Sequence, residues 1–152
     1  MGFFQFRREQ LVNLPIAELW DFISSPQNLK KITPDYMGFD ITSENLPEKM
    51  YQGMIISYKV SPVLGIKTTW VTEITHVKDM EYFVDEQRVG PYTLWHHQHF
   101  LEEKENGTLM TDIVSYAPLF GVLGSIANTI LIKHKLKEIF DYREKTIIKM
   151  FG

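Results

Sequence analysis

Three of the five histidines lie within four positions of one another, in the stretch Tyr92 to Glu103, YTLWHHQHFLEE. An imidazole near neutral pH can accept a proton, donate one or bind a metal, so four kinds of role fit the pattern. His97 and His99 have the spacing to chelate an ion with Asp112, but His96 points the other way and no further ligand is placed to close the site. A His–Asp pair suits general acid/base catalysis, yet no nucleophile or oxyanion motif stands beside it. The same groups can orient the polar end of a molecule held against an apolar wall. They can also form a polar row inside a sheet, satisfying one another. The pattern assigns no metal ligand, cofactor or catalytic residue.

Side chains alternate along a strand, which places Trp95, His97, His99 and Leu101 on one face and His96, Gln98 and Phe100 on the other. A hairpin at Asn106-Gly107 pairs His99 with Asp112, His97 with Val114 and Trp95 with Tyr116. A turn at Gly90-Pro91 pairs Asp85 with His97, Phe83 with His99 and Gln87 with Trp95. A one-residue slip would turn the opposite set inward. With Trp70, which alternates with Thr68, Thr72 and Ile74 on a long strand, the expected ligand-binding wall is Trp70, Phe83, Asp85, Gln87, Trp95, His97, His99, Asp112 and Tyr116. For Trp70 core packing is the favoured reading. Carboxylates on such a wall must be paired or linked through water.

The elements that carry this wall follow from periodicity and turn residues. FFQFRREQLVNL reads as a strand, and Pro15 suits the first position of a helix carrying Ile16, Leu19, Trp20, Phe22 and Ile23. Ser25-Pro26 opens a second short helix that Pro34 stops. From Met37 to Phe120 the chain reads as strands: GFDITS, MIISYKVS, IKTTWVTEITHV after a Pro-Val-Leu-Gly turn, EYFVDEQRV, the histidine stretch, and GTLMTDIVSYAPLF. Their short connections make them antiparallel neighbours. Val122 to Met150 is helical, about 40 Å long at 1.5 Å per residue, with Ile132, Leu136, Ile139, Phe140, Arg143 and Ile147 on one side. Leu123, Ile126, Ala127, Ile130 and Leu131 sit at a different angle, so the helix bends or its first turns meet something besides the sheet. One sheet with one long helix encloses a core only if the sheet curves around the helix. The expected class is therefore α+β, in one domain over residues 1–152.

Composition limits the partners. A formal net charge of -3 argues against nonspecific nucleic-acid binding, and the absence of cysteine excludes disulfides, iron–sulfur clusters and thiol catalysis. The first residues mix charge with aromatics unlike a signal peptide, Phe6 stands where myristoylation wants Ser or Thr, and no window approaches the roughly 18 apolar residues of a membrane span. The expectation is a cytoplasmic protein with no integral membrane association. Aromatics, at 13%, suit a broad sheet or an aromatic-lined cavity.

The order of elements, with LPIAELWDFISSPQNLKKITP near the start, resembles the helix-grip fold of the SRPBCC superfamily, whose members are START-like, pollen-allergen-like and polyketide-cyclase-like. FVDEQRVGPYTLWHHQHF, TDIVSYAPLFGVLG and IFDYR are similar to a bacterial subgroup labelled cell-division-inhibitor-like. The resemblance implies a curved antiparallel sheet gripping the C-terminal helix, with a cavity between them for an apolar or amphipathic ligand. It implies no agreed chemistry, because the superfamily includes carriers, receptors, cyclases and hydrolases. The expected function is binding of a small apolar or amphipathic molecule, such as a lipid, isoprenoid or aromatic metabolite. The alternatives are a cyclase-, hydrolase- or isomerase-type enzyme using His97 or His99 with Asp112 or Asp85, and a protein-interaction or toxin-like module.

Two further features bear on these readings. Arg143 lies on the apolar face of the helix, where a structural ion pair with Asp141 or Asp112 is the favoured reading over snorkelling. The apolar segment Leu119 to Ile132 reads as a flap over the cavity, as the contact of a homodimer, or as buried core.

Overall fold

The computed structural model describes residues 2–61 and 65–152, so residues 62–64 of the expected Pro-Val-Leu-Gly turn lie outside it. Among the described residues, the alternation of apolar and polar residues produces seven strands: β1 Phe4–Val12, β2 Asp40–Ile41, β3 Ile55–Val60, β4 Thr68–Lys78, β5 Tyr82–Val89, β6 Tyr92–Lys104 and β7 Gly107–Pro118. They form one antiparallel sheet in the order β1-β7-β6-β5-β4-β3-β2. Register shifts interrupt β4 against β5 at Val71/Thr72 and Ile74/His76, and β6 against β7 at Tyr92/Leu94. Such bulges increase local twist and bend the strands that contain them.

Between β1 and β2 lie helix α1, Ile16–Ile23, and 3-10 turns at Pro26–Ile32 and Asp35–Met37. Pro15 stands one residue before α1 with φ -57° and ψ 146°, as the residue that turns the chain into the helix. The β6–β7 hairpin turns at Glu105-Asn106, one residue earlier than the expected Asn106-Gly107 turn, and Gly107 opens β7. Glycine is needed there because φ is +137° and a Cβ would collide with the Val12 carbonyl oxygen.

The C-terminal segment comprises α2 Gly121–Ala127, a π-helical turn Asn128–Ile132 and α3 Lys133–Phe151. The Tyr116 hydroxyl donates to Asn128 Oδ1 at 2.6 Å, and Asn128 is buried within the π turn. The wider turn changes the angular phase of the helix, which accounts for the two apolar faces in the sequence. Ile132, Leu136, Phe140 and Ile147 face the sheet and are buried. Leu123, Ile126 and Ile130 are exposed, which overturns the buried-core reading of Leu119–Ile132.

Two clusters hold α3 against the concave side of the sheet. Ile147 packs with Val12, Leu19, Leu101 and Met110 at one end, while Ile132, Leu136 and Phe140 pack with Trp70, Tyr92 and Tyr116 at the other. A polar clamp joins α3 to β1. Arg8, on the inward face of β1, donates to Asp141 Oδ1 and Glu144 Oε2 at 2.6 Å each, and Gln10 Nε2 donates to the Glu144 carbonyl at 3.1 Å.

The bonds from Lys137 and then Arg8 hold the Asp141 carboxyl down at about 2. Its folded value lies below the ordinary carboxylate value of about 3.9, so its contribution is complete above about pH 4 and lost as pH falls toward 2. Replacing Arg8 by Met should cost about 1 kcal/mol at pH 7, allowing for solvent screening of the half-exposed pair. The gap between wild type and Arg8→Met should narrow in urea melts taken from pH 4 down to pH 2. A gap unchanged by pH would mean that Arg8 contributes through packing alone.

Candidate functional site

A cavity of about 170 Å³ lies between the concave face of the sheet and α3, roofed on one side by the 3-10 turn Pro26–Ile32. It has room for on the order of ten water-sized groups. The strand ladders bring the expected wall together. His99 pairs with Asp112, His97 with Val114 and Trp95 with Tyr116 across β6 and β7. Phe83 pairs with His99 and Asp85 with His97 across β5 and β6. Of the residues expected on the wall, Trp70, Phe83, Asp85, Trp95, His97 and His99 line the cavity.

Three of the expected residues take other places. Gln87 closes the β5–β6 turn, where its Nε2 donates to the Tyr92 carbonyl at 2.7 Å and its Oε1 accepts from the Tyr92 N–H at 3.1 Å. This local bond replaces the expected pairing with Trp95 and draws the amide away from the cavity. Tyr116 is buried in the core, with its hydroxyl committed to Asn128. Asp112 is 2% exposed and sits behind the histidines rather than before them.

Asp112 is the centre of a buried network. His97 Nε2 lies 2.9 Å from Asp112 Oδ1, and His99 Nδ1 lies 2.9 Å from the same oxygen. His99 Nε2 lies 2.6 Å from Asp85 Oδ2. A carboxylate can only accept, so each nitrogen facing one carries a proton, and His99, between two carboxylates, is an imidazolium. Burial alone would raise the Asp112 carboxyl, but His97 and His99 overcome it and hold the group well below the usual carboxylate range. Asp85 is likewise lowered against its burial, by His97, His99 and the field of Arg143. For His99, burial disfavours the charge, yet Asp112 and Asp85 prevail and its pKa is raised. For His97, burial and the neighbouring His99 charge prevail over the carboxylates and its pKa is lowered. His97 is therefore the neutral ring, protonated at Nε2. Its bare Nδ1 lies 3.7 Å from Asp85 Oδ2.

Arg143 completes the charge balance. It forms no ion pair with Asp141 or Asp112 among the described residues, contrary to the expected structural pair, because Arg8 and Lys137 already occupy Asp141. Its guanidinium lies over the Phe140 ring at 4.8 Å, and its buried Nε has no hydrogen-bond partner among the described residues. The side chain lines the cavity. Two carboxylates are thus balanced by one imidazolium and one guanidinium, and the guanidinium retains unused donor capacity.

Asp85, His97 and His99 offer donor atoms within 4.8 Å of one another. An ion bound to them at about 2.1 Å would have to displace the short His99–Asp85 bond. His96, on the opposite face of β6, is part-exposed and bonds Glu86 at 2.5 Å.

Sequence reasoning left Tyr58, Tyr92 and Phe140 out of the wall. Tyr58 had a usable signal, since it shares a strand face with Ile56 and Val60. Its hydroxyl lies 3.2 Å from Thr72 Oγ1, which also accepts from Trp70 Nε1 at 3.1 Å. Burial, then the field of Asp85, pushes the Tyr58 phenol up, so it is a neutral group on the wall.

No protein-family model matches the chain, and no curated protein matches it. Solved structures do. A crystal structure of a protein from Chromobacterium violaceum superimposes with a TM-score of 0.71 at 13% identity, covering 97% of this chain and 96% of that one. An uncharacterized protein from Rhizobium leguminosarum gives a TM-score of 0.70 at 13% identity, with 96% and 95% covered. Ginseng major latex-like protein 151 from Panax ginseng gives 0.68 at 10% identity, with 98% and 97% covered. At these identities the likeness concerns the fold alone, and that fold is the helix grip.

The network separates the neighbouring histidines experimentally. His96→Ala should change stability by no more than about 0.5 kcal/mol, as for a surface substitution. His99→Ala removes the charge between two buried carboxylates and should cost about 3–5 kcal/mol. Urea melts of the two variants at pH 7 measure the difference, and equal costs would contradict the network.

Proposed function

We propose that the protein binds a small apolar or amphipathic molecule, such as a lipid, isoprenoid or aromatic metabolite, in the cavity between the sheet and α3. The observation that carries this reading is the wall itself: mostly apolar and aromatic, with Asp85, His97, His99 and Arg143 forming one charged patch. A ligand's apolar body replaces water against the aromatics, and its polar end meets the Arg143 guanidinium and the bare His97 nitrogen on the same wall. The motifs around the histidine strand further support placing the chain with the bacterial cell-division-inhibitor-like subgroup of the SRPBCC superfamily.

Native mass spectrometry of protein purified from its own host tests the reading. The expected result is a noncovalent small-molecule adduct, which organic extraction releases unchanged. Ile139→Trp, which builds an indole into the cavity wall, should lower the adduct about tenfold while leaving the fold intact by circular dichroism. An empty cavity together with a stoichiometric protein partner would overturn the proposal. Chemical conversion of the extracted molecule by the purified protein would move the function to the enzyme class.

A further inference from the structure

The two ends of the sheet differ in chemistry. At one end, the connections after β2, between β4 and β5, and between β6 and β7 are rich in carboxylates: Glu44, Glu48, Asp79, Glu81 and Glu105. At the opposite end, the β3–β4 and β5–β6 connections and the whole of Leu119–Ile132 contain no carboxylate. Apolar side chains project there instead. Phe120, Val122, Leu123 and Ile130 are 80%, 74%, 72% and 73% exposed, and Ile66 before β4 and Val89 at the end of β5 are exposed as well. Phe3 joins them, because Gly2 sits so close to the Ser125 hydroxyl of α2 that a side chain at Gly2 would collide with it. Exposed Lys67 and Lys133 add positive charge, while Asp40 at the edge of the sheet is paired with Lys30.

Phe120 adds a second kind of observation. It holds φ at +67°, a conformation unfavourable for a bulky residue, and packing does not compensate it because the ring is in solvent. The apolar residues come from several separate segments and protrude at the ends of strands and along α2. A second copy seated on the same face by a twofold axis would bring its own lysines toward these. A bilayer with anionic head groups accepts protruding apolar side chains and complements the cations.

We propose that this end of the molecule, centred on Phe120–Ile130, docks peripherally on an anionic lipid surface. Docking is separate from occupancy of the cavity and holds whether or not a ligand is bound. No helix among the described residues is long and apolar enough to cross a membrane, so the contact lies in the interfacial plane.

Flotation of the full chain with vesicles tests this. Phosphatidylcholine vesicles containing phosphatidylglycerol should carry the protein upward, and pure phosphatidylcholine vesicles should carry much less. Leu123→Ser/Ile130→Ser should reduce the floated fraction at least about fivefold, since each serine removes apolar contact with the bilayer. Leu11→Ser/Ile55→Ser, exposed substitutions near the acidic end, should float like the wild type. Thermal melts identify any variant that has lost its fold, and Lys133→Glu, at an exposed position, gives an independent loss of binding. Failure of the wild type to float, or equal flotation of both double variants, would overturn the proposal. So would a dimer in solution that Leu123→Ser/Ile130→Ser splits while vesicles bind nothing, which would make the face an interface between copies.

Discussion

A carboxylate held away from water must find its counter-charge within the fold, and Asp112 finds it in the His99 imidazolium, with a second hydrogen bond from neutral His97 on the same adjacent strand. His99 extends the same network to Asp85 on the next strand, so β7, β6 and β5 are joined by charge as well as by the backbone ladder. A register slip of one residue would face Asp112 with a residue from the other side of β6 and leave an ionised group alone in the core. That penalty, several kcal/mol for an unpaired buried charge, selects the alignment in which Trp95, Val114 and Tyr116 also face inward. The aromatic wall and the polar cluster are consequences of one choice of register.

The cavity depends on a second constraint, the way α3 is held. Near its C-terminus Ile147 is sealed into a cluster with Val12 and Leu101, and Arg8 grips Asp141 and Glu144 from β1. Near its start, the π turn places Asn128 against Tyr116 and Ile132 into the aromatic cluster. The middle of the helix, from Leu136 to Arg143, spans the bent sheet between these anchorages, and space remains beneath it. Bulges in β4 and β6 contribute to the bend that a flat sheet would lack.

The network also sets the charge carried by the cavity wall. His99 keeps its proton between two carboxylates, whereas His97 loses its own to burial and to the nearby positive charge. One ring is therefore committed to structure, and the other presents a lone pair. Arg143 is the cationic group on the same wall, and no described residue bonds its buried Nε. Under the proposed function, these two groups on one cavity wall would meet the polar end of an amphipathic ligand.

What the sequence determined by itself was periodic or local. Alternation placed His97 and His99 on one face and His96 on the other, and turn residues at Gly90-Pro91 and near Asn106 aligned the strands closely enough to predict the pairs of Asp85 with His97 and His99 with Asp112. The 3.6-residue stripe on the last helix predicted which side would meet the sheet. Tertiary structure decided whatever depended on competition for a partner. Gln87 turned to the Tyr92 backbone, Asp112 took both imidazoles, and Arg143 was left without an ion pair among the described residues because Arg8 and Lys137 reach Asp141. The exposure of Leu123 and Ile130 was likewise beyond the sequence, because apolar character shows that a residue favours burial and only the surrounding fold provides a surface to bury it. Periodicity acts along the chain and can be read from it, whereas pairing is chosen among groups far apart in sequence and exists only after the chain has closed around them.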